Sequence, residues 1–270
     1  MDHFFDHLIS PTHNPLLIGL GDSADGFSEV ATSINAALPY VKFIVPTAGK
    51  RAVTISGGMA MNAWYDITGL TDRASEDCEG IEDSVCKVRA IIQAEIALGV
   101  PSNRIALAGF SQGGAMSLYT GLQLPLDMKP AGVLVMSGYL PGASKFTITP
   151  GLEDVPVMHC HGTADPVVIY GHAERTRRHV TEKGVKSYIV RAFDGVGHTV
   201  SPEIMQTALN FLTEILPNKP EFAIKPKAAR DMTVKELKDA IRKAGLHGQS
   251  LGFFEKREFV ALLEGYQKSL

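Results

Sequence analysis

Cysteine is scarce in this 270-residue sequence, which contains only Cys78, Cys86 and Cys160. An odd and sparse set does not form a disulfide framework of the kind that holds small secreted domains together. Cys78 and Cys86 also lack the second pair of ligands that a structural zinc site needs. We therefore expect three free thiols in a reducing compartment and no structural metal.

A long apolar run and a strong excess of one charge are missing as well. No run approaches the roughly 18 apolar residues of a membrane-spanning helix. Residues 1–15 carry acids and histidines where a secretion signal has basic and then apolar residues. The net charge of -3 argues against a role of the whole protein on nucleic acid. We expect a soluble, cytoplasmic protein.

The apolar content, 45% of residues, is sufficient for one large domain with its own core. Short apolar runs, which predict buried strands, alternate with segments in which apolar residues recur at helical spacing. This alternation predicts an α/β fold with a doubly wound, mostly parallel sheet and helices on both faces. The predicted strands are 16–18, 41–45, 105–108, 132–136, one opening at 155–158, and 186–193. The predicted helices are 27–38, 81–98, 113–122, 170–183 and 202–216, and residues 47–77 are predicted to be mostly irregular.

The C-terminal part of the chain differs in charge from the rest. Residues 1–220 carry 16 basic and 22 acidic side chains, whereas residues 221–270 carry 10 basic and 7 acidic ones. Prolines and basic residues predict a linker over 218–230. Helical spacing within 231–270 predicts two short helices, 233–243 and 255–266, which form a small helix–loop–helix. We expect one body over residues 1–217 and a separate C-terminal hairpin.

A short motif, Gly109-Phe110-Ser111-Gln112-Gly113, follows a predicted buried strand and opens a predicted helix. This is the context of the nucleophile elbow of α/β-hydrolases, in which a strained turn exposes the serine hydroxyl and small neighbours let strand and helix approach. The motif predicts that Ser111 is a catalytic nucleophile. The alternative is a serine that only caps the helix.

A serine nucleophile needs a general base, which an acid orients, and in this fold the chain order is serine, acid, histidine. His198 lies in a glycine-containing loop between a late strand and the last helix of the body. Asp165 follows the predicted fifth strand, at the sheet edge where the serine lies, whereas Asp154 precedes that strand. Asp194 is close to His198 in sequence and stays an alternative. We predict a triad of Ser111, Asp165 and His198.

The oxyanion of a tetrahedral intermediate needs two backbone donors. We predict the N–H groups of Gln112, which follows the nucleophile, and of Leu20, in the first glycine-rich loop. A nucleotide-binding fingerprint at Gly19 and Gly21 is disfavoured because the third glycine is replaced by Ala24.

Two other groups of residues have more than one interpretation. His159 and His161 could share one face as metal ligands, but no third ligand is evident, so we expect a packed pair and no metal or cofactor. Met59, Met61, Trp64 and Tyr65 could line an apolar acyl site, although Trp64 could equally be part of the core.

The body resembles the acyl-protein thioesterase and lysophospholipase-carboxylesterase family of α/β-hydrolases. The stretches that carry the resemblance occur in family order over about residues 14–217: GLGDSADGF (19–27), GGMAMNAWYDI (57–67), VPSNRIALAGFSQGGAMSLYTG (100–121), HGTADPVV (161–168) and GVGH (195–198). The resemblance implies a cytosolic, metal-free enzyme that removes palmitoyl-type chains from protein thioesters and in many members hydrolyses lysophospholipids or short esters. The family's triad matches Ser111, Asp165 and His198, and its oxyanion donors match Leu20 and Gln112.

The sequence departs from the family's pattern at two positions near the site. Relatives have a histidine where this chain has Ile18, which concerns loop packing and not the triad. Relatives commonly have a tryptophan where this chain has Tyr139, which we therefore count among the substrate-binding candidates. This N-terminus also lacks the cysteine that some relatives use for their own acylation.

The C-terminal hairpin lies outside that family and resembles the small SAP-type helical hairpin. Nucleic acid is disfavoured as a partner for it, and protein contact or packing within the chain is preferred. The leading hypothesis is a protein S-acyl thioesterase that contacts membrane surfaces only through its substrate. The alternatives are a carboxylesterase or lysophospholipase and, outside enzymes, a binding module that acts through the hairpin. Acyl-chain length, protein clients and oligomeric state do not follow from the sequence.

Overall fold

Among the residues that the structure describes, six strands form a parallel sheet in the larger of two compact units, residues 1–224 and 225–270. The computed structural model describes residues 15–19, 28–69, 78–218 and 228–267. The strands of the sheet are β1 (Pro15–Gly19), β2 (Lys42–Ile44), β5 (Ala106–Phe110), β6 (Gly132–Met136), β7 (Val157–Gly162) and β8 (Tyr188–Phe193). They lie in the order β2-β1-β5-β6-β7-β8, and each neighbouring pair is parallel. The sheet edge formed by the strands' carboxyl ends carries the loops that matter for function.

Helices cover both faces of this sheet, which confirms the predicted doubly wound architecture. They are α1 (Ser28–Ala37), α2 (Ile81–Ala97), α3 (Gln112–Gly121), α4 (Gly171–Glu182) and α5 (Pro202–Ile215). Successive strand residues point to opposite faces. In β6, Val133 and Val135 pack in a core with α2, α3 and α4, whereas Leu134 and Met136 pack in a second core with α1 and α5.

A two-stranded antiparallel hairpin, β3 (Lys50–Val53) and β4 (Met59–Asn62), lies within the segment that we predicted to be mostly irregular. That prediction was wrong for these residues. Gly57 and Gly58 adopt positive φ angles of 69° and 79° between the strands, which glycine does without steric cost. Each strand has only four residues, and β4 is mostly exposed, so no alternation of apolar and polar residues marked it.

The N-terminus of α5 follows local rules that the sequence displays. The Ile204 N–H donates to the Ser201 hydroxyl at 3.3 Å, and Pro202 occupies the first turn, where its missing N–H is not needed. This N-terminus directly follows the loop of His198. The capping interaction therefore defines where that loop ends.

The C-terminal unit contains α6 (Val234–Lys243) and α7 (Lys256–Gln267), each shifted by one residue or less from the predicted helix. A capping box between Thr233 and Glu236 starts α6. The unit has a small core of its own, formed by Ala229, Leu237, Ile241, Phe259 and Leu263. Across the ranges that the structure describes, no helix combines the length and hydrophobicity needed to cross a membrane.

Candidate active site

Ser111 lies in the sharp turn between β5 and α3, with φ 54° and ψ -123°. A positive φ is strained for a residue with a side chain and is characteristic of functional sites. The Ser111 N–H donates to the carbonyl oxygen of Met136 at 2.8 Å, which ties the turn to the neighbouring strand. A Cβ on Gly109 would lie 2.3 Å from the carbonyl carbon of Gly113, so only glycine permits this approach of strand and helix.

The Ser111 hydroxyl contacts a histidine and does not cap the helix. Its Oγ lies 3.0 Å from Nε2 of His198, and the side chain makes no capping hydrogen bond to α3. The helix-cap alternative for Ser111 therefore has no support in the geometry of this turn.

His198 lies between Ser111 and Asp165. Its Nδ1 is 2.7 Å from Oδ2 of Asp165, whose side chain is fully buried. Its ring packs against the ring of Phe110, with 4.7 Å between the two ring centroids. An ionised carboxylate only accepts hydrogen bonds, so Nδ1 carries the proton and Nε2 is free to accept the Ser111 hydroxyl proton. The three predicted side chains therefore form one continuous hydrogen-bonded series.

The Asp165 side chain is held by its own loop. Its Oδ1 accepts the N–H groups of Val167 and Val168, both at 2.9 Å, which leaves Oδ2 for His198. A Cβ on Gly162 would lie 2.1 Å from the Val196 carbonyl oxygen, so glycine allows the loop of the acid and the loop of the base to touch.

Asp194, the alternative acid, makes different contacts. It accepts the Thr163 hydroxyl at 3.1 Å, and the same hydroxyl oxygen accepts the Gly195 N–H at 3.0 Å. Asp194 is exposed and helps to shape the His198 loop, whereas Asp165 contacts the imidazole directly.

A family model described as phospholipase/carboxylesterase matches residues 12–216. The chain belongs to this family. The matched region includes the whole Ser111–His198–Asp165 series and ends before the C-terminal unit. Family membership makes the chain a serine hydrolase with the α/β-hydrolase fold, as the motif and the resemblance predicted.

Acyl-protein thioesterases are prominent among the similar proteins. The hydrolase is 35% identical over 211 residues to acyl-protein thioesterase 1 homolog 1 of Dictyostelium discoideum, which covers 76% of this chain and 92% of that protein. It is 36% identical over 202 residues to acyl-protein thioesterase 1 of Schizosaccharomyces pombe, covering 74% and 89%. Its fold is similar to the crystal structure of Zea mays acyl-protein thioesterase 2, with a TM-score of 0.66, 28% identity and coverage of 76% and 94%.

Only one of the two predicted oxyanion donors lies among the described residues of the hydrolase. The Gln112 N–H lies in the first turn of α3, where N–H groups have no acceptor within the helix and favour negative charge. Leu20 lies outside the described residues. The preceding residue, Gly19, ends β1 and pairs in register with Gly109 of β5, two residues before Ser111. Both oxyanion assignments stay predictions.

The side chain of Gln112 has a role that sequence reasoning missed. It is buried and makes two hydrogen bonds to one segment: its Oε1 accepts the Trp64 N–H and its Nε2 donates to the Tyr65 carbonyl, both at 2.8 Å. The residue after the nucleophile is therefore fixed to a segment 47 positions earlier in the chain. A glutamine in a serine motif gives no signal of this partner.

The predicted substrate-binding residues do not form one surface. Met59 and Met61 lie on β4 and are 64% and 39% exposed, whereas Trp64 and Tyr139 are 2% and 4% exposed. Trp64 and Tyr139 belong to the core that packs on α2, α3 and α4. The Tyr139 hydroxyl accepts a hydrogen bond from Tyr65 at 2.9 Å, and burial raises the pKa of Tyr139. Contact of these residues with substrate stays a prediction.

Two apolar residues beside the acid were not singled out from the sequence. Val167 and Ile169 flank the buried Val168 in the loop after Asp165, and each is about half exposed. An apolar pair is unusual in an exposed loop, and the two apolar residues so close to Asp165 in the sequence could have identified them as candidates. They offer apolar surface within a few residues of the acid.

His159 and His161 pack together, with 3.2 Å between His159 Nε2 and His161 Nδ1. In the parts of the chain that the structure describes, no three or more histidine, cysteine or carboxylate side chains are grouped as metal ligands would be. The pair contacts the hydrolase's acid loop through the Val168 carbonyl oxygen, which lies 2.7 Å from His161 Nε2.

Proposed function

We propose that this hydrolase removes long, palmitoyl-type acyl groups from cysteine thioesters of proteins, through an acyl-enzyme formed on Ser111. The observation that carries the proposal is the hydrogen-bonded series from Asp165 through His198 to Ser111, with distances of 2.7 Å and 3.0 Å. In this arrangement the base can take the serine proton while the acid stabilises the imidazolium that results.

The reaction has two halves. Ser111 Oγ attacks the thioester carbonyl carbon as its proton moves to His198 Nε2, and the carbonyl oxygen becomes an oxyanion near the N-terminus of α3. Collapse of this intermediate breaks the carbon–sulfur bond, and His198 returns the proton to the leaving cysteine sulfur. Water then attacks the acyl-serine ester with His198 again as base, which releases the fatty acid and restores Ser111.

The choice of an acylated protein as substrate is supported by the relatives, which are named acyl-protein thioesterases and which the chain matches over most of their length. The long acyl group, which both candidate substrates share, is supported by the half-exposed Val167 and Ile169 beside the acid, since an acyl chain needs apolar surface near the reacting carbonyl.

A second candidate is hydrolysis of lysophospholipids or small carboxylic esters, which the family description favours. The chemistry is the same, so only relative rates distinguish the two. We propose to measure kcat/KM on a palmitoylated cysteine peptide, a lysophospholipid and a short-chain p-nitrophenyl ester. Preference for the palmitoyl peptide supports the thioesterase. A lysophospholipid rate that exceeds the peptide rate would replace it with the second candidate.

For the C-terminal part, we propose a linker over 218–230 and a SAP-like hairpin over 231–270 that acts as an adaptor for protein clients or for cellular location. The small core of the unit supports a hairpin with a fold of its own; it also includes Ala229, which favours an earlier end of the linker. A cytoplasmic location stays a prediction from the sequence. Expression of the hairpin fused to a fluorescent protein would test whether it directs location.

A further inference from the structure

Two histidines are buried side by side in β7, next to the loop of the acid. Successive residues of a strand alternate between faces, so His159 and His161 both point to the face that holds Val157 and α4, and both are fully buried. Burying a polar ring costs free energy unless its nitrogens are hydrogen-bonded. The partners of all four nitrogens are therefore informative.

Each ring nitrogen has a partner. His159 Nδ1 lies 2.9 Å from the Tyr188 hydroxyl, and His159 Nε2 lies 3.2 Å from His161 Nδ1. His161 Nε2 lies 2.7 Å from the Val168 carbonyl oxygen. Together these contacts form a series that runs from β8 through β7 to the loop of Asp165.

The donor and acceptor of each hydrogen bond in the series follow from its last acceptor, the Val168 carbonyl oxygen. A carbonyl oxygen only accepts, so His161 Nε2 carries a proton and donates it to Val168. In a neutral ring His161 Nδ1 is then an acceptor, which requires a proton on His159 Nε2. His159 Nδ1 must accept from the Tyr188 hydroxyl by the same reasoning. One set of tautomers satisfies these three contacts.

Both rings are held neutral by their surroundings. Burial, reinforced by His161, lowers the pKa of His159 to about 3, with a lesser opposing effect of a backbone hydrogen bond at Gly138. Burial also lowers the pKa of His161, although its hydrogen bond to Val168 and the nearby Asp165 carboxylate oppose the shift. The single set of tautomers therefore persists at neutral pH.

The end of this series is the residue that holds the acid. Val168 donates its N–H to Asp165 Oδ1, and its carbonyl accepts from His161. His161 Nε2 also lies 3.5 Å from Asp165 Oδ2, the oxygen that binds His198. A change at His161 therefore reaches the acid both through the Val168 peptide and directly.

We propose that His161, oriented by His159 and Tyr188, is a positioning residue that fixes the turn of Asp165 and so the orientation of the His198 ring. The inference rests on the catalytic roles proposed above for Asp165 and His198. His161 touches neither substrate nor Ser111 in this proposal. Its effect is on the rate of the chemical step and not on substrate binding.

The test compares His161→Gln with His161→Leu in the full-length protein. A glutamine amide can donate to the Val168 carbonyl, and leucine cannot. We expect His161→Leu to lower kcat on a short p-nitrophenyl ester, and the rate of fluorophosphonate labelling of Ser111, by on the order of 10- to 100-fold, as loss of an orienting partner does. KM should change by less than about twofold, and glutamine should restore most of the rate.

A stability-matched control separates positioning from folding. Leu152 is fully buried and precedes β7, at the sheet edge opposite the triad, so Leu152→Ala removes core packing but none of the hydrogen-bonding groups of the series. It should lower the melting temperature but keep kcat. Equal losses of kcat in Leu152→Ala and His161→Leu would refute a positioning role.

A double-mutant cycle identifies which proposal fails, if one does. His161→Leu should add little to Asp165→Asn, because it acts through that residue. If Asp165→Asn itself leaves the rate unchanged, the proposed triad is wrong. If Asp165→Asn is damaging while His161→Leu is silent, or if their effects multiply, the positioning role is wrong.

If His161→Leu does not fold, the same comparison can be made at His159 and Tyr188, the next members of the series. His159→Gln should keep the donor to His161 and most of the rate. His159→Leu should lower kcat by less than His161→Leu does, and Tyr188→Phe should lower it by less than His159→Leu does. Wild-type rates in both His159→Leu and Tyr188→Phe would refute the series. Nitrogen-15 spectra of the wild-type histidines should show protonated Nε2 in His159 and His161, and a protonated Nδ1 in either would also overturn it.

Discussion

Replacement of Asp165 by asparagine tests the orientation of the catalytic base. The two backbone N–H groups of Val167 and Val168 require an acceptor, so the amide oxygen of the introduced side chain should take the place of Oδ1. The amide nitrogen then faces His198 Nδ1 at the 2.7 Å contact and donates to it. His198 must move its proton to Nε2, which would point an N–H at Ser111 and could not take the serine proton.

The expected loss follows from this reversal of the tautomer. Aspartate-to-asparagine replacement in the serine-protease triad leaves the geometry intact and lowers kcat about 10⁴-fold, or roughly 5 kcal/mol of activation free energy. The same contact geometry here predicts a loss of the same order. Because the shape of the side chain is retained, the melting temperature should change little.

The assay is steady-state hydrolysis of a short p-nitrophenyl ester, with fluorophosphonate labelling of Ser111 as a second readout. Asp194→Asn is the matched control, since Asp194 is exposed and binds the Thr163 hydroxyl. We expect the control to keep most of the activity. A greater loss in Asp194→Asn than in Asp165→Asn would refute the assignment of the acid.

Four further outcomes are expected. Ser111→Ala should fold, lose at least about 10³-fold in turnover and lose fluorophosphonate labelling, and labelling at the wild-type level would remove the proposed nucleophile. Gly109→Ala should destabilise the fold by about 1–3 kcal/mol in urea unfolding because its Cβ meets Gly113; an unchanged midpoint would contradict this packing. Burial lowers the pKa of His159 from 6.5 to about 3 in the folded protein, so the free energy of unfolding should decrease as the pH falls from 6.5 towards 3. His159→Gln should show a smaller decrease, and equal pH profiles of the melting temperature for the two proteins would contradict this. Truncation after Lys219 should leave hydrolysis of a small ester within about threefold, under about 1 kcal/mol, and an insoluble or inactive product would make the hairpin part of the catalytic domain.

The strands of the parallel sheet and the order of the triad could be predicted because their signals are local. Buried parallel strands appear as continuous apolar runs, and Ser111 lies in a five-residue motif between such a run and a helix. Asp165 and His198 could then be chosen by chain order and by the sheet edge at which their loops lie. The contacts that join the three residues are between parts of the chain distant in sequence, and the structure brings these residues within hydrogen-bonding distance.

Other features were not predictable because their cause is three-dimensional. The bonds of the Gln112 side chain to Trp64 and Tyr65 depend on the packing of a segment 47 positions away. The hairpin of β3 and β4 is short and exposed, so its residues show no periodicity. Burial of Trp64 could not be distinguished from a place in an acyl site, since both favour a large apolar ring.

The main-chain contact at Gly162 has a consequence for how this enzyme can diverge. The two loops touch through backbone atoms: the Thr163 and Ala164 N–H groups donate to the carbonyls of Phe193 and Val196 at 2.9 Å and 3.1 Å. Side chains at positions 167 and 169 take no part in these hydrogen bonds. Saturation mutagenesis should therefore find position 162 intolerant and positions 167 and 169 permissive. The spacing of acid and base is inherited with the backbone, while the side chains at positions 167 and 169 can change one at a time without altering it.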